Sequence, residues 1–248
     1  MIKLSIITVT FNCKDTLQRT IDSVLDQNYE NLEYIIVDGI STDGTLDIIQ
    51  DNCQKAKGKI RYISEKDNGL YDAMNKGIEM ATGDIIGIVN GDDYYTSNAF
   101  SIVTSIFENS TADIVYSDLL YTRGNTVDYK KPLIADHRKL VERMSVNHPT
   151  CFVNRKIYQK YGVFDTSFRI AADYEIMARF YKGGCIFQKA NEVLAVMEMG
   201  GLSSNNRKSI EEKYKIHRMY SGRKNAELFR IRNTLLFYYR KAKKSRYE

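Results

Sequence analysis

The chain has 248 residues, of which 43% are hydrophobic and 27% are charged, as is ordinary for a soluble globular protein with a substantial core. No stretch approaches the roughly 18 uninterrupted apolar residues of a membrane-spanning helix, and the first residues do not resemble a signal peptide. The four cysteines lie far apart without a C-x-x-C pair, which argues against a zinc site or a disulfide framework. We therefore expect a cytoplasmic protein with one large domain and a net charge of +5.

The first 120 residues alternate between strand-like and helix-like patterns. Apolar, β-branched runs predict strands, and apolar residues spaced three or four apart predict the helices between them. The predicted strands are residues 4–9, 33–38, 60–64, 85–89 and 113–117, and the predicted helices are residues 15–27, 43–52 and 70–81. This alternation predicts an α/β fold whose mainly parallel sheet has helices on both faces. Residues 121–201 are less regular and contain one further helix-like stretch, residues 171–181.

The first strand leads into a turn, residues 8–12, that contains no glycine. A dinucleotide-binding fold needs G-x-G-x-x-G at this place, and a P-loop needs its Gly-Lys-Ser/Thr, so the sequence excludes both. Asp38 ends the second strand, where its carboxylate could accept a hydrogen bond from the imide N–H of a uracil ring. The Ser/Thr/Asp cluster that follows, residues 41–45, is typical of a helix cap.

The strand at residues 85–89 ends in Asn90-Gly91-Asp92-Asp93. Open α/β sheets bind their ligands at the carboxyl ends of the strands. Hard oxygen atoms at such a place suit Mg²⁺ or Mn²⁺ bound together with substrate phosphates. The alternative interpretation is a solvated turn that caps the next helix.

Several segments, in this order along the chain, resemble family 2 glycosyltransferases with the GT-A fold. The general signature of that family resembles residues 5–12 (SIITVTFN), 37–45 (VDGISTDGT) and 90–93 (NGDD). A subgroup that builds bacterial surface polysaccharides, including O-antigen and colanic acid enzymes, resembles residues 64–78 (SEKDNGLYDAMNKGI), 148–152 (HPTCF) and 170–175 (IAADYE). The resemblance spans roughly residues 3–204.

The resemblance implies a role for each matched position. Asp173 occupies the position of the catalytic base, Asp92 that of the metal ligand for Mn²⁺ or Mg²⁺, and His148 and Glu175 lie with the acceptor. The residues implied to bind the donor are Thr8, Thr10, Phe11, Asp38, Lys76, Asn90, Asp92 and Asp93. Two positions depart from the family pattern. Gly39 stands where a second aspartate is common, and Asn90 replaces the first aspartate of D-x-D, which makes it a poorer metal ligand.

Four of these residues also have a purely structural interpretation. Asp173 begins a predicted helix and could be its N-cap, and Lys76 lies on the polar face of the helix at residues 70–81. His148 precedes a proline, which favours an extended backbone and a structural role. Glu175 follows Asp173 by two residues and could be structural as well.

The end of the chain is strongly basic. Residues 206–248 contain 14 Lys/Arg and 4 Asp/Glu, a net charge of +10, whereas residues 1–205 carry −5. We therefore divide the chain into a GT-A domain of residues 1–205 (residues 1–120 for the nucleotide sugar, 121–205 for the acceptor) and a basic helical tail. The tail could bind nucleic acid, pack on the body or lie on an anionic membrane. We favour the membrane, because a lipid-linked acceptor would be found there.

These observations and the resemblance together predict an inverting, metal-dependent glycosyltransferase at the inner face of the cytoplasmic membrane. A UDP-hexose is the expected donor, and a lipid-diphosphate-linked saccharide is the expected acceptor. Our specific expectation is transfer of glucose in β-1,3 linkage to a HexNAc-diphosphoundecaprenol acceptor in O-antigen or surface polysaccharide biosynthesis. Alternatives are a transferase of the same fold with another donor or acceptor, a sugar nucleotidyltransferase and a nucleic-acid-binding module.

Overall fold

A computed structural model describes residues 1–56, 58–123, 126–199 and 207–244, which form two sheets and the helices around them. The strands are β1 (Leu4–Thr10), β2 (Leu32–Asp38), β3 (Ile60–Ser64), β4 (Ile85–Asn90), β5 (Tyr94–Tyr95), β6 (Ile114–Tyr116), β7 (Leu119–Arg123), β8 (Thr126–Leu133), β9 (Phe152–Asn154), β10 (Phe187–Lys189) and β11 (Ala195–Glu198). The helices are α1 (Lys14–Leu25), α2 (Thr45–Lys55), α3 (Leu70–Met80), α4 (Ala99–Glu108), α5 (Arg155–Tyr161), α6 (Ala172–Lys182), α7 (Arg207–Tyr220) and α8 (Arg223–Lys244). Short 3-10 helices cover His137–Lys139 and His148–Thr150.

Every strand and helix predicted from the first 120 residues is present, and so is the helix predicted at residues 171–181, which is α6. The element ends move by no more than three residues, as expected for boundaries that fray. The predicted α/β architecture is therefore confirmed.

The larger sheet has the order β10-β6-β9-β4-β1-β2-β3, and the smaller one has the order β5-β11-β7-β8. In the larger sheet β1 pairs in parallel with both β2 and β4, whereas β9 is antiparallel to β4 and β6. The chain thus runs outward from β1 through β2 and β3 and then returns to the other side of β1. Such a reversal opens a crevice beyond the carboxyl ends of β1 and β4, where open α/β sheets bind ligands.

Alternate residues of β1 enter two separate hydrophobic cores, as the period of two in a strand requires. Leu4 and Ile6 pack with α1, α2 and α4 on one face of the sheet. Ile7 and Val9 pack with α3 and α6 on the other face. Helix α3 approaches β1 so closely that a Cβ atom at Gly77 would lie 2.4 Å from Ile7 Cγ2, so only glycine fits there.

The basic end of the chain forms a helical hairpin that packs on the body. In α7, Ile216 and His217 are buried, and Ile216 belongs to the core formed with β1 and α6. The centroid of the His217 ring lies 4.1 Å from that of the Phe229 ring in α8, on which it stacks. The same His217 ring makes an edge contact with the Tyr174 ring of α6. The predicted boundary at residue 205 lies outside the described residues. Within the described part of the chain, no helix combines the length and apolarity needed to cross a bilayer.

Candidate active site

Asp38, at the end of β2, is 0% exposed and organises three loops at the carboxyl edge of the sheet. Its Oδ1 accepts from the hydroxyls of Thr10 (3.1 Å) and Ser41 (2.5 Å). Its Oδ2 accepts from the Ser64 hydroxyl (2.6 Å) and the Ser41 backbone N–H (3.1 Å). Each oxygen already accepts two hydrogen bonds and is shielded from solvent, so Asp38 holds the three loops together, and its contact with the base stays a prediction.

Thr8 and Thr10, two further residues predicted to lie in the donor site, have hydrogen-bond partners within the protein. Thr8 points into the sheet, where its hydroxyl forms a 2.9 Å hydrogen bond with the Tyr34 hydroxyl and is fully buried. Thr10 is also buried, because its hydroxyl is directed at Asp38. The hydroxyls of both threonines are therefore bonded within the protein, where they stabilise the end of β1 and the loops around it.

Phe11 is 66% exposed at the end of β1 and forms one side of a small polar–aromatic surface. A Cβ atom at Gly39 would lie 2.5 Å from Asp67 Oδ2 and 3.4 Å from the Phe11 ring, so these three residues adjoin. The Asp67 carboxylate thus occupies the space that a side chain at position 39 would need. A side chain at position 39 would therefore have to displace the Asp67 carboxylate, which is the end of a flexible side chain.

The turn after β4 is built around Asp93, which is 1% exposed. Asp93 accepts from the Asn90 side-chain amide (3.1 Å) and from the Glu198 backbone N–H (3.0 Å), so it joins the turn to β11. Burial raises the pKa of Asp93, and the neighbouring Asp92 carboxylate raises it further. The Asp93 carboxyl group is thus enclosed and already bonded within the protein, and its direct contact with the donor stays a prediction.

Asp92 is the carboxylate of this turn that remains partly open to solvent. Burial raises the pKa of Asp92, the charge of Glu198 adds to this effect, and the Arg19 guanidinium acts against it. Arg19 also donates to the backbone carbonyl of Asp92 (2.9 Å), which fixes the turn. Asp92 thus lies beside a second carboxylate, an environment that a cation would stabilise.

The donor atoms at this turn fit a divalent cation held jointly with a ligand. Asn90 Oδ1 is buried and has no hydrogen-bond partner among the described residues, so it is an acceptor available to a bound group. Nowhere in the described ranges do three His, Cys, Asp or Glu side chains gather as a ready-made metal site. The protein would therefore contribute Asp92, and oxygen atoms of a diphosphate and water would complete the coordination.

Asp173 lies in the first turn of α6 and is only partly buried. Its Oδ1 accepts from the Tyr174 backbone N–H (2.8 Å) and lies 3.2 Å from the Tyr71 hydroxyl, which also lies 2.9 Å from the Ile170 carbonyl. Oδ2 has no hydrogen bond to any of the residues that the structure describes. One oxygen is thus held by the protein, and the other makes no bond within the described part of the chain.

His148 is buried next to this group, with its ring 5.5 Å from that of Phe164, which stacks on Tyr71. Burial lowers the pKa of His148, and the charge of Asp173 acts in the opposite direction. A buried, neutral imidazole is a poor partner for an acceptor phosphate. The placement therefore favours the structural interpretation of His148 as part of the wall behind Asp173.

The remaining two predicted site residues are bound within the protein. Glu175 is buried and accepts from the Arg179 guanidinium (2.7 Å) and the Tyr220 hydroxyl (2.6 Å), which favours its structural interpretation. Lys76 lies 2.8 Å from Glu65 and donates to a backbone carbonyl of the same loop, which favours its structural interpretation. Both residues stabilise local structure, since their charged atoms face protein partners.

Comparison with known proteins identifies the family of this chain. Residues 5–172 match glycosyl transferase family 2. The chain belongs to this family. A PGL/p-HBAD biosynthesis glycosyltransferase of Mycobacterium tuberculosis is 28% identical over 204 residues, which are 81% of this chain and 78% of that protein. Family membership makes this protein a glycosyltransferase and removes the alternatives of a nucleotidyltransferase and a nucleic-acid-binding module as its main activity.

Solved structures show that the glycosyltransferase has the GT-A fold, as predicted. S. aureus TarS in complex with UDP-GlcNAc superposes with a TM-score of 0.71 at 19% identity, over 88% of this chain and 65% of that one. The mannosyltransferase PcManGT from Pyrobaculum calidifontis, in complex with GDP-Man and Mn²⁺, gives a TM-score of 0.68 at 17% identity. It is matched over 87% of this chain and 63% of its own. The glycosyltransferase thus spans less than two thirds of either structure.

Three residues that lie beside the predicted site residues were not predicted from the sequence. Asp67 lies inside a segment already matched to the family subgroup, and its position just after a strand was the available signal. Tyr71 shares that segment but reads as an apolar helix residue. Glu198 had no signal, because its proximity to Asp92 depends on the pairing of β11 with β5 in the smaller sheet.

Proposed function

We propose that this glycosyltransferase transfers a hexose with inversion from a UDP-sugar to a lipid-diphosphate-linked saccharide. Glucose is the first candidate sugar, in β-1,3 linkage to a HexNAc-diphospholipid during the assembly of O-antigen or another surface polysaccharide. The observation that carries the proposal is the arrangement of Asp173, whose Oδ1 is held by Tyr71 and a backbone N–H while Oδ2 is unbonded within the described structure.

Asp173 acts as the general base in this proposal. Its Oδ2 accepts the proton of the acceptor hydroxyl, whose oxygen forms the new bond to the anomeric carbon. The bond between that carbon and the phosphate oxygen breaks, and the nucleoside diphosphate leaves on the opposite face. One well-placed carboxylate suffices for such a displacement, which inverts the anomeric configuration.

The donor is proposed to bind at the carboxyl ends of β1 to β4. The exposed Phe11 ring offers a stacking surface for the base, and the adjoining Asp67 carboxylate can accept from an imide N–H. Asp92 would hold Mn²⁺ or Mg²⁺ together with the diphosphate. A divalent cation at this place would neutralise the charge that develops on the leaving group.

The acceptor is proposed to reach the enzyme at an anionic membrane surface, to which α8 binds. Leu228, Ile231, Leu235 and Tyr239 recur every three or four residues, so they form one stripe, and each is more than half exposed. Ala226 and Phe229 lie on the opposite, packed side of the helix. Eight Lys or Arg residues and one acidic residue share α8, and this combination of an apolar stripe with cations suits anionic lipid better than a nucleic-acid backbone.

The test is transfer from radiolabelled UDP-hexoses and GDP-mannose to a synthetic HexNAc-diphospholipid in the presence of Mn²⁺. We expect transfer from UDP-glucose, and a β-linked product in the NMR spectrum, because the donor is α-linked. Asp173→Asn preserves shape but cannot accept the proton, so we expect a loss of about 100-fold or more in turnover with unchanged UDP binding. An α-linked product, or a variant that keeps its turnover, would contradict the proposal.

A further inference from the structure

The loop that leads into α6 is held by a side chain from the C-terminal hairpin. Glu212 of α7 accepts three backbone hydrogen bonds from this loop: its Oε1 accepts from the Arg169 N–H, and its Oε2 accepts from the Ile170 and Ala171 N–H groups, each at 2.9 Å. Ala171 is the N-cap of α6, and Arg169 and Ile170 immediately precede it. The N–H of an N-cap residue has no partner within its helix, so Glu212 satisfies that donor and fixes the two residues before it.

The segment that Glu212 holds is the one that leads into Asp173. The Tyr71 hydroxyl lies within hydrogen-bonding distance of both the Ile170 carbonyl and Asp173 Oδ1. Tyr71 therefore links the backbone that Glu212 holds to the Asp173 carboxylate. A carboxylate at a helix N-terminus is also favoured by the helix dipole. The position of Asp173 therefore depends on a residue about forty positions further along the chain.

A second contact holds the same helix further along. Tyr220, at the end of α7, donates to Glu175 Oε1 at 2.6 Å, and Glu175 is paired with Arg179 one turn later in α6. Helix α7 thus bonds to α6 on either side of Asp173 in sequence. Two separated attachment points restrict rotation of α6 about its axis as well as its translation.

We propose that Glu212 is a positioning residue for the reaction, which sets the location of the Asp173 carboxylate through the backbone of residues 169–171. The inference rests on the proposed function, in which Asp173 is the general base. Its consequence is that the basic hairpin is part of the catalytic machinery, not only a membrane-binding appendage. A misplacement of about 1 Å of a reacting group can lower a rate by about 100-fold, so a loosened loop should reduce turnover strongly.

The test compares Glu212→Ala and Glu212→Gln with Glu211→Ala in the full chain. Glu211 is the matched control, because it is an exposed acid on the same helix and makes no bond to residues 169–171. We expect Glu212→Ala to lower kcat by about 10- to 100-fold, with KM for the UDP-sugar and the Kd for UDP unchanged. Glu212→Gln keeps one acceptor oxygen and should restore part of kcat, whereas Glu211→Ala should match the wild type.

Hydrogen exchange gives a readout that does not depend on activity. In Glu212→Ala, the amides of residues 169–171 should exchange faster, while those of β1 and β4 should be unaffected. Should Glu212→Ala fail to fold, Glu212→Gln is measured alone, with kcat expressed per folded molecule. A lower melting temperature with a wild-type kcat per folded molecule would show a merely structural role and overturn the inference.

The Asp173→Asn variant separates this inference from the proposed function. If Asp173→Asn is inactive and both Glu212 variants turn over like the wild type, the positioning role is wrong and the base assignment survives. If Asp173→Asn remains active, the proposed function fails, whatever the Glu212 variants do.

Discussion

Replacing Asp38 tests whether its carboxylate contacts the nucleotide base or stabilises the loops that surround the donor site. Four donors reach Asp38, namely three hydroxyls and the Ser41 backbone N–H, and the side chain is 0% exposed. Asp38→Ala removes the acceptor of all four. Each hydrogen bond to a charged group contributes about 1.5–3 kcal/mol, but rotated hydroxyls and entering water recover part of this. We therefore expect the free energy of unfolding to fall by about 3–5 kcal/mol.

The assay is urea unfolding followed by circular dichroism, together with UDP titration by calorimetry at a temperature where the variant remains folded. Asp67→Ala is the matched control, since Asp67 is partly exposed and accepts one local hydrogen bond, from the Gly69 N–H at 2.8 Å. That variant should lose less than about 1 kcal/mol of stability and should bind UDP more weakly. A stability loss is thus expected for one carboxylate and an affinity loss for the other.

The opposite pattern would refute this reasoning. If Asp38→Ala unfolds at the wild-type urea concentration and loses UDP affinity, its carboxylate faces the base and the hydrogen bonds assigned to it do not stabilise the fold.

Three further predictions concern the metal, the membrane and pH. Asp92→Ala should lower transfer by about 100-fold or more, and EDTA should abolish it until Mn²⁺ is added; a near wild-type rate with Mn²⁺ would disprove the metal assignment. Replacing Leu228, Leu235 and Tyr239 together by Gln should weaken binding to anionic vesicles by about 10-fold or more without loss of helicity, because all three are exposed; unchanged sedimentation with vesicles would exclude the stripe. Burial lowers the pKa of His217 to about 4, so the unfolded chain binds the proton more tightly and stability falls as pH drops from 6.5 towards 4. The free energy of unfolding should be about 2 kcal/mol lower at pH 5 than at pH 7.5. In His217→Leu, urea unfolding should show a smaller change of this free energy with pH. An equal change in the variant and the wild type would mean that other groups cause the pH dependence.

The fold was predictable because local patterns and the global sheet agree. The continuous apolar runs at residues 4–9 and 85–89 indicate strands buried on both faces, and β1 and β4 are the central pair of the sheet. Strand ends also indicated the edge at which polar residues would gather. Membership of the family followed from motif order, which is a property of the sequence itself.

The roles of individual polar residues were less predictable, because they depend on partners distant in sequence. Asp38 is saturated by Ser64, which is 26 positions away, and a carboxylate at a strand end looks the same in sequence whether or not it is saturated. Glu212 bonds to Ala171 across 41 positions, in a segment whose composition indicated only a basic surface. Burial, which decides whether Thr8 or Asp93 can meet a ligand, is likewise set by the assembled fold.

The burial of Ile216 has a consequence for biosynthesis. This side chain, from α7, completes the core that β1 and α6 share. A chain emerging from the ribosome exposes residues 1–199 before α7 has been made, so that core stays open on one side while the rest of the sheet can already form. Maturation of the enzyme therefore waits for the last helices, and a nascent or prematurely terminated chain should be a substrate for chaperones and proteases before it is a catalyst.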